Sequence, residues 1–276
     1  MSILRTMSLA AVLCAAALVA ASAQRRRDFN RYFGSPDEFY QPPDFHGNPP
    51  YDGRFTFARI KYRGFDHWSG REGPGWSHDY PDAEENFSKI LRDISSVRPF
   101  VQAGPIVGSA VVALDDPLLF KYPVSYMSEP GGWHPNDKEI ACFRSYFLKG
   151  GFMIFDDFRE GWGGNFDWTN LRQQVARALP KAKWVQLTGN EPIFDSFFKI
   201  DLKAAVSNTS AYGVNLPTYW GIYESNDPKK RLIMIANVDD DIGESWQWSA
   251  SGFVPIAAAN ETYKLGVNYV IYALTH

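Results

Sequence analysis

The sequence predicts an α/β fold, a three-layer sandwich around a mostly parallel sheet with a C-terminal hairpin and helix, on three observations. Between residues 55 and 187, apolar runs of strand length alternate with stripes of helical period. Two of the runs, Ile106 to Leu114 and Phe152 to Phe155, are almost unbroken, as in strands covered on both faces. After Thr188 the alternation gives way to two strands around a polar turn and a long apolar segment.

The elements follow in order. Phe55 to Tyr62 alternates and stops at Gly64, a first strand. Asp82 with Glu85 makes a capping box ahead of the helical stripe Phe87, Ile90, Leu91, Ile94 and Val97. The Ile106 run is the next strand, and Asp116-Pro117 opens a short helical turn, with proline where its missing N–H is not needed. Val124 to Met127 is a short strand. Asn136 with Glu139 caps a second helix carrying Ile140, Phe143 and Phe147, closed by Gly150-Gly151. Phe152 to Phe155 follows as a buried strand. Asp167 to Leu179 is a third helix, begun by its aspartate and stopped by Pro180, and Trp184 to Leu187 is one more strand. Tyr219 to Glu224 and Arg231 to Ala236 form the hairpin, and Gly252 to Leu274 a helix despite Pro255 and Gly266.

The 276 residues are 45% hydrophobic, 16% aromatic and 21% charged, which is a globular composition. A net charge of −3 argues against nucleic-acid binding, which needs a basic surface. Residues 1–23 have the layout of a signal peptide: Arg5, an uncharged apolar run from Leu9 to Ala21, and the small-x-small site Ala21-Ser22-Ala23. The expected product is exported, periplasmic or secreted, with no membrane span in the mature chain. Cleavage also removes Cys14, so Cys142 is left alone and stability must come from a core. Residues 24–53, with five prolines and the Arg25-Arg26-Arg27 cluster, read as a flexible tail whose aromatics offer a protein partner a docking point. Residues 54–276 read as a single domain.

In open α/β sheets ligands bind at the carboxyl ends of the strands. There the sequence places Trp76, His78 and Asp79 after the first strand, and Asp115 and Asp116 after the second. Glu129, Trp133 and His134 follow the third, and Asp156, Asp157 and Arg159 the fourth, ahead of the loop Gly161-Trp162-Gly163-Gly164. Clustered carboxylates hold a divalent cation or divide into an acid and a base. Asp156 and Asp157 are the candidate metal ligands, and Asp156, Asp157, Glu129 and His134 the candidate catalytic groups. Adjacent in a strand, Asp156 and Asp157 point to opposite sides, so at most one enters a shared site. Asp115 and Asp116 read as caps. Trp68, Trp76, Trp133, Trp162 and Trp168 stand near loops, where exposed rings suit sugars or peptides but equally fold inward as lids. Cys142, inside a helix, reads as packing, and Asp239-Asp240-Asp241 with Glu244 as a solvated turn. No P-loop, complete G-x-G-x-x-G or G-x-S-x-G occurs, so no nucleotide cofactor is expected.

Four blocks resemble a bacterial family, the domain of unknown function 4159. They are Trp76-Ser77-His78-Asp79-Tyr80-Pro81, Tyr122-Pro123 with Glu129-Pro130-Gly131, Gly150 to Phe158, and Leu265-Gly266-Val267-Asn268 with Tyr272-Ala273-Leu274. The resemblance runs from about Arg54 to the C-terminus and implies a sheet similar to class I glutamine amidotransferases and their flavodoxin-like relatives. It brings no established activity. Where those enzymes place a nucleophilic cysteine after a strand, this chain has Asp156-Asp157, and it has no His-x-Glu. The expectation is an exported binding or assembly domain acting through a rim of carboxylates and tryptophans, with a small molecule or carbohydrate as ligand. The alternative is a carboxylate- or metal-dependent hydrolase of envelope or extracellular carbohydrate.

Overall fold

The computed structural model describes residues 47–63, 75–100, 108–160, 166–203 and 216–276. The expected signal segment, residues 24–46 of the tail, Trp68 and the glycine loop with Trp162 lie outside the described residues.

The strands are β1 (Phe57–Lys61), β2 (Ser109–Ala113), β3 (Val124–Ser128), β4 (Phe152–Phe158), β5 (Val185–Gln186), β6 (Thr218–Tyr223) and β7 (Leu232–Val238). The helices are α1 (Asp82–Ile94), α2 (Asp137–Leu148), α3 (Phe166–Ala178), α4 (Ile242–Gln247) and α5 (Ile256–Thr275). One open sheet runs β2-β1-β3-β4-β7-β6-β5. Its first five strands are parallel, and β6 runs against both of its neighbours. The chain adds β2 on one side of β1 and then β3 and β4 on the other. In open α/β sheets such a reversal marks the place where ligands bind, here the carboxyl ends of β1 and β3.

The pleat divides β4 between two cores. Phe152 and Ile154 pack with Phe87 and Leu91 of α1, Trp246 of α4 and Leu265 and Tyr269 of α5. Met153 and Phe155 pack on the other face with Phe143 and Phe147 of α2 and Leu171 and Val175 of α3. Helices on both faces make the three layers expected. Each such side chain contributes about 1.5–3 kcal/mol when fully buried, so the sheet centre is also the centre of stability. Gly266 belongs in α5 for a packing reason: a Cβ there would lie 2.7 Å from Phe87, which packs at a tilt against Trp246 with ring centres 4.5 Å apart.

Local chemistry accounts for most boundaries. The α2 capping box is present, with Asn136 Oδ1 accepting from the Glu139 N–H and Glu139 Oε2 from the Asn136 N–H, both at 2.9 Å. Asp116 caps the 3-10 turn Pro117–Lys121 as expected, accepting from Leu118 N–H at 2.9 Å. Two expected caps are otherwise. Asp82 is the first residue of α1, and Pro81 precedes it without a side-chain cap. Asp167 lies inside α3, where its carboxylate rests against Gly131 and accepts from Arg159 N–H at 3.4 Å.

The free edge of β2 is met at Val111 by an upstream side chain. The Asn48 side chain donates to the Val111 carbonyl at 2.9 Å and accepts from the Val111 N–H at 2.7 Å. Tyr51 meets Tyr122 edge-on at 5.7 Å. The end of the expected tail thus packs against the sheet, because an amide side chain can satisfy an edge residue as a neighbouring strand would.

Candidate functional site

The site starts from a buried cation. Arg59 on β1 is fully buried and paired with Glu84 of α1. One of its amino groups donates to the carbonyls of Trp76, at 3.0 Å, and His78, at 2.8 Å. The guanidinium also lies 4.9 Å from the centre of the Tyr126 ring. Arginine suits this position because its planar fork reaches a carboxylate and two carbonyls at once. It fixes the backbone that carries His78 and Asp79 beside the ends of β3 and β4.

His78 Nδ1 is 2.7 Å from Asp157 Oδ2 and 3.8 Å from both Asp79 Oδ2 and Glu129 Oε1. The three acidic residues come from three chain segments, and each takes a left-handed backbone, with φ of 63° at Asp79, 46° at Glu129 and 55° at Asp157. Such conformations are uncommon outside glycine and concentrate at functional sites. At Asp157 the turn breaks the pleat of β4, whose register with β7 shifts between Phe155 and Phe158.

The electrostatics set the members apart. Burial works to lower His78, but the Asp157 hydrogen bond and the charges of Asp79, Asp157 and Glu129 push it up to about 11. Burial pushes Asp79 up to about 8, with the His78 charge as the chief counterweight. Burial also acts to raise Asp157, yet the bond and charge of His78, then Arg159, hold it below the ordinary value. Asp79 is 3% exposed, and neither carboxylate oxygen has a hydrogen-bond partner.

Asp156 has a different task. Its Oδ2 accepts from Tyr126 Oη at 2.6 Å and from the N–H groups of Ile242 and Gly243 at 3.0 and 3.1 Å. Its Oδ1 accepts from Asn237 Nδ2 at 2.9 Å. Burial, then the charge of Asp240, pushes Asp156 up to about 7, against the Tyr126 and Asn237 bonds. The carboxylate therefore ties the start of α4 to the sheet. Gly243 lets the helix come close, since a Cβ there would stand 2.8 Å from Asp79 Oδ2.

A family model described as Domain of unknown function (DUF4159) matches residues 56–274. This chain belongs to that family. The match contains all four blocks that carried the resemblance. No curated protein matches the chain.

Within this DUF4159 domain, the residues read from the strand ends separate into three groups. His78, Asp79, Glu129 and Asp157 converge, with Arg159 at the side, where one amino group is 3.7 Å from Asp157 Oδ1 and another donates to the Asp240 carbonyl at 2.9 Å. Asp156 is adjacent but saturated. His134 is bonded to the carbonyls of Gly132 and Arg63, at 2.9 Å each, outside the His78 cluster.

Trp76 and Trp133 correct one expectation, for they are 1% and 0% exposed and belong to the core. The rim presents carboxylates and an imidazole without their ring faces. The turn Asp239-Asp240-Asp241 is a second correction, because all three are buried. Asp240 Oδ2 accepts from Tyr219 Oη at 2.7 Å, Asp239 Oδ1 from Glu160 N–H at 2.9 Å, and Asp241 Oδ1 from Glu244 N–H at 2.8 Å. Asp241 thereby caps α4, a helix the sequence reading did not anticipate. Burial and the charges of Asp157 and Asp79 raise the Asp241 carboxyl well above its ordinary range.

Proposed function

We propose that this DUF4159 domain is exported and binds a small ligand in the pocket where β1, β3 and β4 end, through His78, Asp79, Glu129 and Asp157. One observation carries the reading. Asp79 is a buried carboxylate without a hydrogen bond, 3.8 Å from the His78 imidazole, and a group left so costs the fold stability. A ligand that offers positive charge or hydrogen-bond donors removes that cost. Among the described residues no helix is long and apolar enough to cross a membrane, which is compatible with export. Thermal unfolding against divalent cations and envelope sugars tests the pocket. A ligand at a hundred times its dissociation constant adds about 2.7 kcal/mol, a shift of several degrees, and Asp79→Asn should abolish it. No shift with any compound overturns the reading.

A hydrolase is the second reading. Two unlike carboxylates beside one imidazole, Asp157 bonded to it and Asp79 bare, is an arrangement that suits acid and base roles. Turnover of envelope polysaccharides that disappears in Asp79→Asn, with binding retained, would support it. Glutamine amidotransfer has no place in either reading, since Asp156 and Asp157 stand at the end of β4 and Cys142 lies within α2. Residues 24–46 stay in the proposal as a linker or docking arm for a protein partner.

A further inference from the structure

We infer that His78, Asp79 and Asp157 form a binding site for a divalent transition-metal cation, with Glu129 as a fourth ligand. The inference rests on the pocket proposed above and names the chemistry of its occupant.

Geometry is the first support. One donor atom from each of the three residues lies within 4.8 Å of the others. Nδ1 of His78 stands 2.7 Å from Asp157 Oδ2 and 3.8 Å from Asp79 Oδ2 and Glu129 Oε1. Ligands about 2.1 Å from an ion stand roughly 3.0 Å apart in an octahedron and 3.4 Å apart in a tetrahedron. The separations from Nδ1 bracket those values, and the ligand set, which spans up to 4.8 Å, would close around an ion.

The second support is independent of the clustering. Both Asp79 oxygens are buried and without a hydrogen-bond partner, and Asp79 Oδ2 faces Nδ1 across a gap too wide for a hydrogen bond. Gly243 comes close to the same carboxylate, where a Cβ would stand 2.8 Å from Asp79 Oδ2. Neighbouring acids in the same region do not share this state: Asp156 accepts four hydrogen bonds, and Asp240 accepts from Tyr219 and from the Asp241 N–H. The fold satisfies those acids and leaves Asp79 bare where an ion would sit.

Donor type chooses the ion. One imidazole with two or three carboxylates suits Zn²⁺ or Mn²⁺, whereas Mg²⁺ and Ca²⁺ favour all-oxygen shells. Binding requires the imidazole to release its Nδ1 proton to solvent and use that nitrogen as the ligand. Arg59, holding the His78 carbonyl, and Tyr62, whose hydroxyl donates to the Glu129 carbonyl at 2.6 Å, position two of the ligand-bearing loops.

The test titrates the purified, chelator-treated protein with MnCl₂ and ZnCl₂ by calorimetry, with paramagnetic resonance of Mn²⁺ as a second readout. The expected result is saturable uptake of a single ion per chain, with Mg²⁺ and Ca²⁺ weaker. Loss of a supporting group outside the metal shell already weakens metal sites by about 10–100-fold, so Asp79→Asn and Asp157→Asn should each weaken uptake at least tenfold. Circular dichroism checks that both variants fold, and two variants protect the test against failure of one. Absence of uptake, or unchanged affinity in both folded variants, overturns the site. If a sugar still shifts the melting temperature in an Asp79-dependent way while no ion binds, the cation is overturned and the ligand pocket stands. If neither binds, both readings are overturned.

Discussion

Asp79 Oδ2 stands 3.8 Å from His78 Nδ1, near enough for the two charges to act on each other and too far for a hydrogen bond. The pair is therefore electrostatic without being structural. Asp157 makes the hydrogen bond to the same nitrogen from another segment.

At pH 9, above the value of about 8 to which burial raises Asp79, Asp79→Asn should stabilise the ion-free protein by about 1 kcal/mol, because it removes a buried charge that has no hydrogen bond to lose. Urea unfolding in the presence of chelator measures it. A drop in midpoint of comparable size would show that the His78 attraction outweighs the burial cost.

Stability should decline as pH rises from about 6 to 9. His78 is held at about 11 against an ordinary 6.5, so its contribution is complete below 6.5 and is lost as pH climbs toward 11. Asp79 is raised to about 8 from 3.8, so the fold favours its neutral form and loses stability across that interval. Asp157 is lowered and acts in the opposite sense, with stability present above 3.8 and lost in acid. The three act on one another, so one sloping profile is expected, steepest between about 6.5 and 8, where the His78 and Asp79 intervals overlap, and flatter there in Asp79→Asn. Denaturation midpoints at unit pH steps give the profile, and a rise between pH 6 and 9 contradicts it.

Arg59→Met should destabilise the domain by about 3–5 kcal/mol, since it strands Glu84 as a buried, unpaired charge and releases the carbonyls of Trp76 and His78. The double variant Arg59→Met/Glu84→Gln should recover part of the loss. It should not recover ligand response, because the His78 loop remains untied. Urea midpoints with ligand titrations separate the two effects.

Asp156→Asn should cost about 2–3 kcal/mol, because an amide cannot accept from Tyr126, Asn237 and two backbone N–H groups together. Hydrogen exchange should rise first at Ile242 and Gly243, the start of α4. Asp157→Asn should leave those amides protected. Equal exchange in the two variants would contradict the division of labour between the adjacent aspartates.

Much of this arrangement is legible in the sequence, for physical reasons that also mark where legibility ends. β4 and its neighbours are readable because strands buried on both faces leave apolar runs with no polar alternation to confuse. His78, Asp79, Glu129 and Asp157 are readable because parallel strands bring their carboxyl ends to one rim. Helix α4 is not readable, for six residues are too short to show a period, and three consecutive aspartates look solvated until Tyr219 and the neighbouring backbone N–H groups are known to bond them. Trp76 and Trp133 stand beside glycines and prolines in sequence, and only packing reveals that they turn inward. Arg59 is hidden for the same reason: a cation in the middle of a short strand carries no sign of Glu84, its partner on α1.

The Asn48 amide on Val111 has a consequence for how the molecule meets its own kind. An open parallel sheet ends in a row of unused donors and acceptors, an invitation to polymerise with the next copy. Here a single side chain just upstream of β1 occupies one such pair from the chain's own reserves. Trimming the polypeptide through Asn48 would spare Phe55 and the rest of the core and remove that guard against self-assembly.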